Sequence, residues 1–173
     1  MLHALLSGWN WLERNLIGLL AIAALAIAAY QMIGRYFSSA GLPTAWAGEI
    51  VIYLIVWAVF VAASLLVHED AHVRADLVLR LLPAKSQRSV EIFNIVFALV
   101  FCLVLTYYGV LATLDSWQMD ERSVTALRFP MWVYYAALPT GFALMALRYV
   151  RRLYLYLFRY DPETMSVHSG RES

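Results

Sequence analysis

Four stretches without a charged residue set the strongest limit on what this chain can form. They cover residues 15–34, 50–67, 92–114 and 129–147, and their lengths are 20, 18, 23 and 19 residues. A helix needs about 20 mostly apolar residues to cross the hydrocarbon layer of a bilayer. Because these stretches fill almost half of the 173 residues, the sequence predicts an all-α integral membrane protein with four transmembrane helices.

The composition supports a membrane protein rather than a soluble one. Hydrophobic residues make up 62% of the chain and charged residues 14%, whereas a soluble domain carries about 25% charged residues. The net charge of +1 gives no indication of nucleic-acid binding. We expect a single transmembrane domain over residues 1–160, with spans at about 16–33, 50–67, 92–111 and 129–147, and a polar tail at 161–173.

The basic residues are distributed unequally between the two sides of the predicted spans. Ten of the 13 Lys and Arg residues lie on the side of the termini, and three, Arg35, Arg122 and Arg128, lie on the other side. Basic residues near transmembrane ends favour the cytoplasmic side. The distribution therefore predicts that both termini are cytoplasmic.

The segment after the second span contains a short amphipathic pattern. Leu77, Val78, Leu81 and Leu82 share one helical face, and Pro83 limits the segment. Such a segment lies in the membrane interface with its apolar face buried. The pattern predicts a short interfacial amphipathic helix after the second span, and the alternative is an ordinary end of the second helix.

The predicted spans contain no Asp, Glu, Lys, Arg or His. Pumps and ion-coupled carriers place ionisable groups within the membrane to line a pathway. Paired broken helices are another sign of a carrier, but Pro139 has no counterpart in the other spans and indicates an isolated kink. The pattern favours an accessory or scaffold subunit bound to the lipid bilayer over a transporter that works alone.

Residues 68–72 read H-E-D-A-H and spell a zinc-protease motif. On a helix, His68 and His72 share a face and can bind zinc, with Glu69 as the base. A small intramembrane zinc metalloprotease is therefore the alternative function. A catalytic zinc needs a third protein ligand, and the later spans offer no Asp or His. The sequence accordingly predicts no enzyme activity, no metal and no cofactor.

A series of short motifs then makes the chain recognisable. R-Y-F at 35–37 closes the first span, W-A-G-E at 46–49 opens the second, and H-V-R-A-D-L at 72–77 follows it. S-V-T-A-L-R-F-P at 123–130 leads into L-P-T-G at 138–141. In this order, and with four spans, these motifs resemble the DctQ-like small membrane subunit of tripartite ATP-independent periplasmic (TRAP) transporters. The resemblance covers roughly Leu12 to Leu153, and Gly48 departs from it because the family more often has a second acidic residue there.

The resemblance implies a function and a set of partners. In such systems a soluble periplasmic binding protein delivers an organic acid to a large multi-span subunit, which moves it inward with sodium. The small subunit is non-catalytic, lies in the bacterial inner membrane, binds the large subunit and enlarges its static scaffold. The residues given candidate interface or structural roles are Arg35, Trp46, Glu49, Trp57, Phe60, His72, Arg74, Asp76, Pro130 and Pro139.

Several of these residues have specific expected roles. Arg35 and Glu49 flank the first outer loop and are expected to pair with each other or with the large subunit. The trio His72, Arg74 and Asp76 is expected to set the turn from the second span into the interfacial helix.

Two further expectations concern the helices themselves. Trp57 and Phe60 face the large subunit or pack within the bundle, and both alternatives remain open. Pro130 suits the first position of a helix, where its missing N–H costs nothing.

Overall fold

The computed structural model describes residues 2–37, 46–68, 84–125 and 127–158, and nearly all of them are helical. Within these described ranges, five helices follow one another: α1 (Leu2–Phe37), α2 (Ala47–His68), α3 (Ala84–Gln118), α4 (Met131–Tyr135) and α5 (Ala137–Phe158). The only β pairing within these described ranges is an isolated bridge between Arg122 and Pro130. The all-helical fold class is therefore confirmed.

Three of these described helices are long and apolar enough to cross a membrane. These stretches are Gly8–Tyr36 in α1, Ala47–Val67 in α2 and Ser89–Gln118 in α3. Each contains one of the predicted spans, but α1 and α3 reach 36 and 35 residues and extend well beyond them. A charge-free stretch marks only the part of a helix that suits hydrocarbon, while the backbone hydrogen bonds continue into the polar flanks.

The fourth predicted span is divided between α4 and α5. Pro139, near the start of α5, has no N–H to donate to the Tyr135 carbonyl. Around this break, the Ala136 N–H donates to the Trp132 carbonyl at 2.9 Å, and the Thr140 hydroxyl donates to the Ala136 carbonyl at 2.6 Å. The break lies where the sequence predicts a proline kink, and α5 continues beyond residue 147 to Phe158.

The helices pack as a row in the spatial order α1, α2, α5, α3 within the described parts of the chain. The core lies among α2, α3 and α5 and contains buried Val67, Cys102, Met145 and Ala146. Gly141 allows α5 to approach α2, because a Cβ there would lie 2.7 Å from the Cβ of Phe60. In this row α1 is an end member whose main neighbour is α2.

Contacts between helices define two ends of the row. The start of α1, the end of α2, the start of α3 and the end of α5 meet at one end, here called the terminal end. The end of α1, the start of α2 and the connection between α3 and α4 meet at the other, here called the loop end. The predicted interfacial helix and the polar tail at 161–173 lie outside the described residues.

Candidate functional site: two buried carboxylate clusters

At the loop end, the carboxylate of Glu49 is buried and held by hydroxyl groups. Its side chain lies in the first turn of α2, and the residue is 9% exposed. The Tyr53 hydroxyl, one turn further along α2, donates to Oε1 at 2.7 Å, and the Thr125 hydroxyl donates to Oε2. The position near a helix N-terminus also suits a negative charge.

The end of α3 directs the chain back towards α2. Asp120 has a positive φ of 45°, which places it in the left-handed region at the helix C-terminus. Its N–H donates to the Trp117 carbonyl at 3.2 Å, and the Glu121 N–H donates to the Ser116 carbonyl at 3.0 Å. These two bonds form a Schellman motif, which satisfies carbonyls that a helix end leaves free.

The connection then folds into a short hairpin that brings Thr125 to Glu49. The Ser123 N–H donates to the Phe129 carbonyl, and the Met131 N–H donates to the Glu121 carbonyl, both at 2.9 Å. Thr125 lies between these paired segments, and its hydroxyl is also 2.7 Å from that of Ser123. The hairpin is thereby tied to the start of α2 through one carboxylate.

Trp57 and Phe60 pack within the helix row and are half-buried. The Trp57 indole N–H donates to the Val133 carbonyl of α4 at 3.1 Å. The ring of Phe60 lies 5.9 Å from that of Phe142, with Gly141 beside it. These are contacts within the helix row, and a role of either residue at the large subunit stays a prediction.

Arg35 and Glu49 form no ion pair with each other within the described residues, where Glu49 has hydroxyl partners instead. Arg35, in the last turn of α1, is exposed. Trp46 is half-buried, and its ring lies 6.2 Å from that of Tyr30.

Pro130 occupies the N-cap of α4 and not the first helical position that the sequence predicts. Its φ of −66° and ψ of 121° are extended, and its neighbour Met131 begins the helix. The shift follows from the hairpin, because the β bridge between Arg122 and Pro130 keeps Pro130 in an extended conformation. This expectation was wrong by one residue.

At the terminal end, Glu13 joins three helices. It is 4% exposed, and its carboxylate accepts hydrogen bonds from the Trp9 indole at 2.9 Å and from the Ser64 hydroxyl of α2 at 3.4 Å. The guanidinium of Arg148 on α5 forms an ion pair with the same carboxylate. Arg148 also donates to the Asn10 side-chain oxygen at 3.1 Å.

A second ion pair joins the first part of α3 to the last part of α5. An Arg152 nitrogen is 3.8 Å from a Glu91 oxygen, and both side chains are largely buried. The Arg152 guanidinium also lies 5.6 Å from the centre of the Tyr156 ring, within the range of a cation–π contact. Together the two pairs link α5 to both α1 and α3.

Neither ion pair was expected from the sequence, although a weak signal exists. Glu13 is the only acidic residue before Glu49, and it lies just before the first charge-free stretch, whereas Arg148 directly follows the last. Opposite charges that flank the first and last spans on the same side are candidates for an interhelical pair.

The residues of the predicted metal motif and of the turn after α2 lie at the end of α2 or outside the described residues. His68 is the last residue of α2, while Glu69, His72, Arg74 and Asp76 lie outside the described residues. Within the parts of the chain that the structure describes, no group of three or more His, Cys, Asp or Glu residues is placed to hold a metal ion. The clusters that the structure does show tie helices together.

Comparison with known proteins identifies the family. Residues 24–159 match the family described as tripartite ATP-independent periplasmic transporters, DctQ component. The chain is 26% identical over 157 residues to the isethionate TRAP transporter permease protein DctMQ of Oleidesulfovibrio alaskensis, in an alignment that covers 83% of this chain and 24% of that protein. It is 27% identical over 124 residues to the C4-dicarboxylate TRAP transporter small permease protein DctQ of Rhodobacter capsulatus. This alignment covers 72% of this chain and 54% of that protein.

A third relative is the ectoine TRAP transporter small permease protein TeaB of Halomonas elongata, 27% identical over 134 residues, with 78% of this chain and 67% of that protein covered. The chain thus spans about a quarter of the first relative's length and about half of the second's. Since the family match extends over most of the chain and agrees with its long apolar helices, this protein belongs to the DctQ component family of tripartite ATP-independent periplasmic transporters.

Proposed function

We propose that this chain is the non-catalytic small permease subunit of a TRAP transporter, which binds and stabilises a large multi-span transport subunit. The observation that carries the proposal is the family match over residues 24–159. The charge-free centres of α1, α2 and α3 agree with it, because a substrate or ion pathway through this chain would need polar groups there.

A stable complex with the large subunit follows from the same argument. The relative from Oleidesulfovibrio alaskensis is named DctMQ and is about four times as long as its matched segment, which supports a small-subunit segment joined to a longer permease. In the proposed complex, this chain forms part of the static scaffold for sodium-coupled uptake of an organic acid. A periplasmic binding protein delivers that acid in a transient encounter.

The substrate is chosen outside this chain. The three relatives are named for isethionate, C4-dicarboxylate and ectoine, although their alignments cover 83%, 72% and 78% of this same chain. The two buried carboxylates described above, Glu13 and Glu49, already have partners within this chain. The acid-binding residues are therefore assigned to the large subunit and the binding protein.

The proposed orientation places the terminal end in the cytoplasm of a bacterial inner membrane. The topology predicted from the sequence assigns ten of the 13 basic residues to that side, in agreement with the positive-inside rule. α4 and the first half of α5 together make the fourth crossing, since residues 129–147 carry no charge.

Co-purification tests the proposal. The tagged chain is expressed together with its genomic neighbours, extracted in mild detergent and analysed by mass spectrometry and metal analysis. We expect a stoichiometric large multi-span protein and no zinc or haem. An unrelated tagged four-span protein, expressed in the same way, is expected not to retain the large protein. Recovery of this chain alone with one equivalent of zinc would overturn the proposal in favour of the metalloprotease.

A further inference from the structure

Helix α1 has less packing to hold it than the other long helices. Its main neighbour is α2, while α2 and α5 each have helices on both sides and α3 packs against both α5 and α4. An open apolar groove of about 460 Å³ runs along the α1–α2 contact, with Ala24 and Ala28 of α1 opposite Val51 and Ala62 of α2. Packing against α2 alone therefore leaves α1 incompletely supported.

Arg148 of α5 reaches past α2 to α1, where it contacts Asn10 and forms an ion pair with Glu13. Glu13 and Arg148 are 135 residues apart in sequence, and their side chains are only 5% and 11% exposed. We propose that this ion pair is a clamp that fixes α1 against α5, and that Ser64 of α2 orients the carboxylate between them.

The position of the pair in the membrane makes it effective. Along α1, Glu13 and Arg35 are about 33 Å apart at 1.5 Å per residue, close to the hydrocarbon thickness of about 30 Å. The clamp thus lies at the edge of the hydrocarbon, where little water competes for the two charges. Removal of one partner leaves the other charge buried and uncompensated, which is far more costly than the loss of an exposed pair.

The clamp gives the proposed scaffold its rigidity, and this consequence rests on the proposed function. A static frame must hold its helices in fixed positions, and α1 is the helix that packing alone does not fix. The geometry assigns that task to Glu13 and Arg148.

Distances between spin labels test the clamp on the full chain in lipid nanodiscs. Labels at exposed Leu16 and Leu147 report the α1–α5 distance, and labels at exposed Val96 and Leu147 report the α3–α5 distance. The variants are Glu13→Gln, Arg148→Gln and the double variant that carries both. Arg151→Gln, an exposed arginine on the same helix, is the matched control.

We expect each single variant to replace one narrow α1–α5 distance by a broad distribution and to leave the α3–α5 distance unchanged. The double variant is expected to be narrower than either single variant, because it leaves no uncompensated charge and two amides still hydrogen-bond. Arg151→Gln is expected to change neither distance. If a neutral variant fails to fold, Glu13→Asp takes its place, because it keeps the negative charge on a shorter side chain. This variant must change the α1–α5 distance and leave the α3–α5 distance unchanged.

An α1–α5 distance that stays narrow in both single variants would overturn the clamp. Equal broadening of the α1–α5 and α3–α5 distances would do so too, because it would show general loss of structure. Since these distances are measured on this chain alone, they are independent of co-purification with the large subunit. Failure of that experiment with an intact clamp would count only against the proposed function.

Discussion

The two ends of the helix row hold a buried carboxylate in different ways. At the terminal end, Glu13 is balanced by the positive charge of Arg148 on another helix. At the loop end, Glu49 accepts hydrogen bonds from the hydroxyls of Tyr53 and Thr125. The difference indicates that charge pairing joins separate helices, while neutral hydroxyls are enough to tie a connecting hairpin to a helix start.

The largest expected effect comes from removal of the positive charge at the terminal end. Arg148→Gln leaves Glu13 buried without a counter-charge, and we expect a loss of about 3–5 kcal/mol in the free energy of unfolding. Unfolding in detergent micelles measures this loss. Arg151→Gln is the control and is expected to stay within about 0.5 kcal/mol of the parent protein because Arg151 is exposed. A loss of similar size in both variants would contradict the special role of Arg148.

The next largest effect is expected where α2 and α5 pack closely, midway between the two ends of the row. Gly141→Ala places a Cβ 2.7 Å from the Cβ of Phe60 and 3.0 Å from its carbonyl oxygen. We expect α2 and α5 to separate slightly, at a cost of about 1–3 kcal/mol in unfolding free energy.

Gly18→Ala is the matched control for this packing test. No neighbouring atom lies within 4 Å of a Cβ at that position, and alanine is favoured over glycine inside a helix by about 0.5–1 kcal/mol. The control is therefore expected to be neutral or stabilising. A stabilising change in both variants would show that helix propensity and not contact decides the result.

A smaller effect is expected at the loop end. Glu49→Gln keeps the shape of the side chain and an oxygen that accepts from a hydroxyl, and no buried cation loses its partner. We expect a loss of about 1 kcal/mol, typical of one hydrogen bond, measured beside Arg148→Gln by the same unfolding assay. If Glu49→Gln were as costly as Arg148→Gln, the contrast between the two ends would fail.

The smallest effect on stability is expected for Arg35→Gln. Arg35 is exposed at the loop end, so we expect a change within about 0.5 kcal/mol in unfolding free energy. The proposed contact with the large subunit predicts a lower yield of that subunit in co-purification. Arg122→Gln at the same end, which removes an exposed pair with Asp120, is expected to keep the yield. Equal yields for both variants would remove Arg35 from the candidate interface.

Much of the fold was predictable because it depends on local patterns. Charge-free stretches predicted the three membrane-length helices, and Pro139 predicted the break between α4 and α5. The helix limits were less accurate, since α3 continues past the apolar stretch to Gln118, where the Schellman motif ends it. That motif has Asp120 in place of the usual glycine, so no strong stop signal was visible.

The candidate sites were harder to predict because their partners are distant in sequence. Glu49 stood out through its motif, but Thr125, which holds it, is 76 residues away. The position of Pro130 was missed by one residue because the hairpin that precedes α4 depends on a pairing with Arg122.

The sequence by itself determined the membrane class, the long helices and the family, since hydrophobicity and motif order are properties of the chain as written. Only the tertiary structure decided which helices are neighbours and how the buried charges are balanced. The physical reason is that burial of a carboxylate is costly without a partner, and the partner is supplied by whichever helix packs beside it. For Glu13 that helix is α5, which begins more than 120 residues later in the chain.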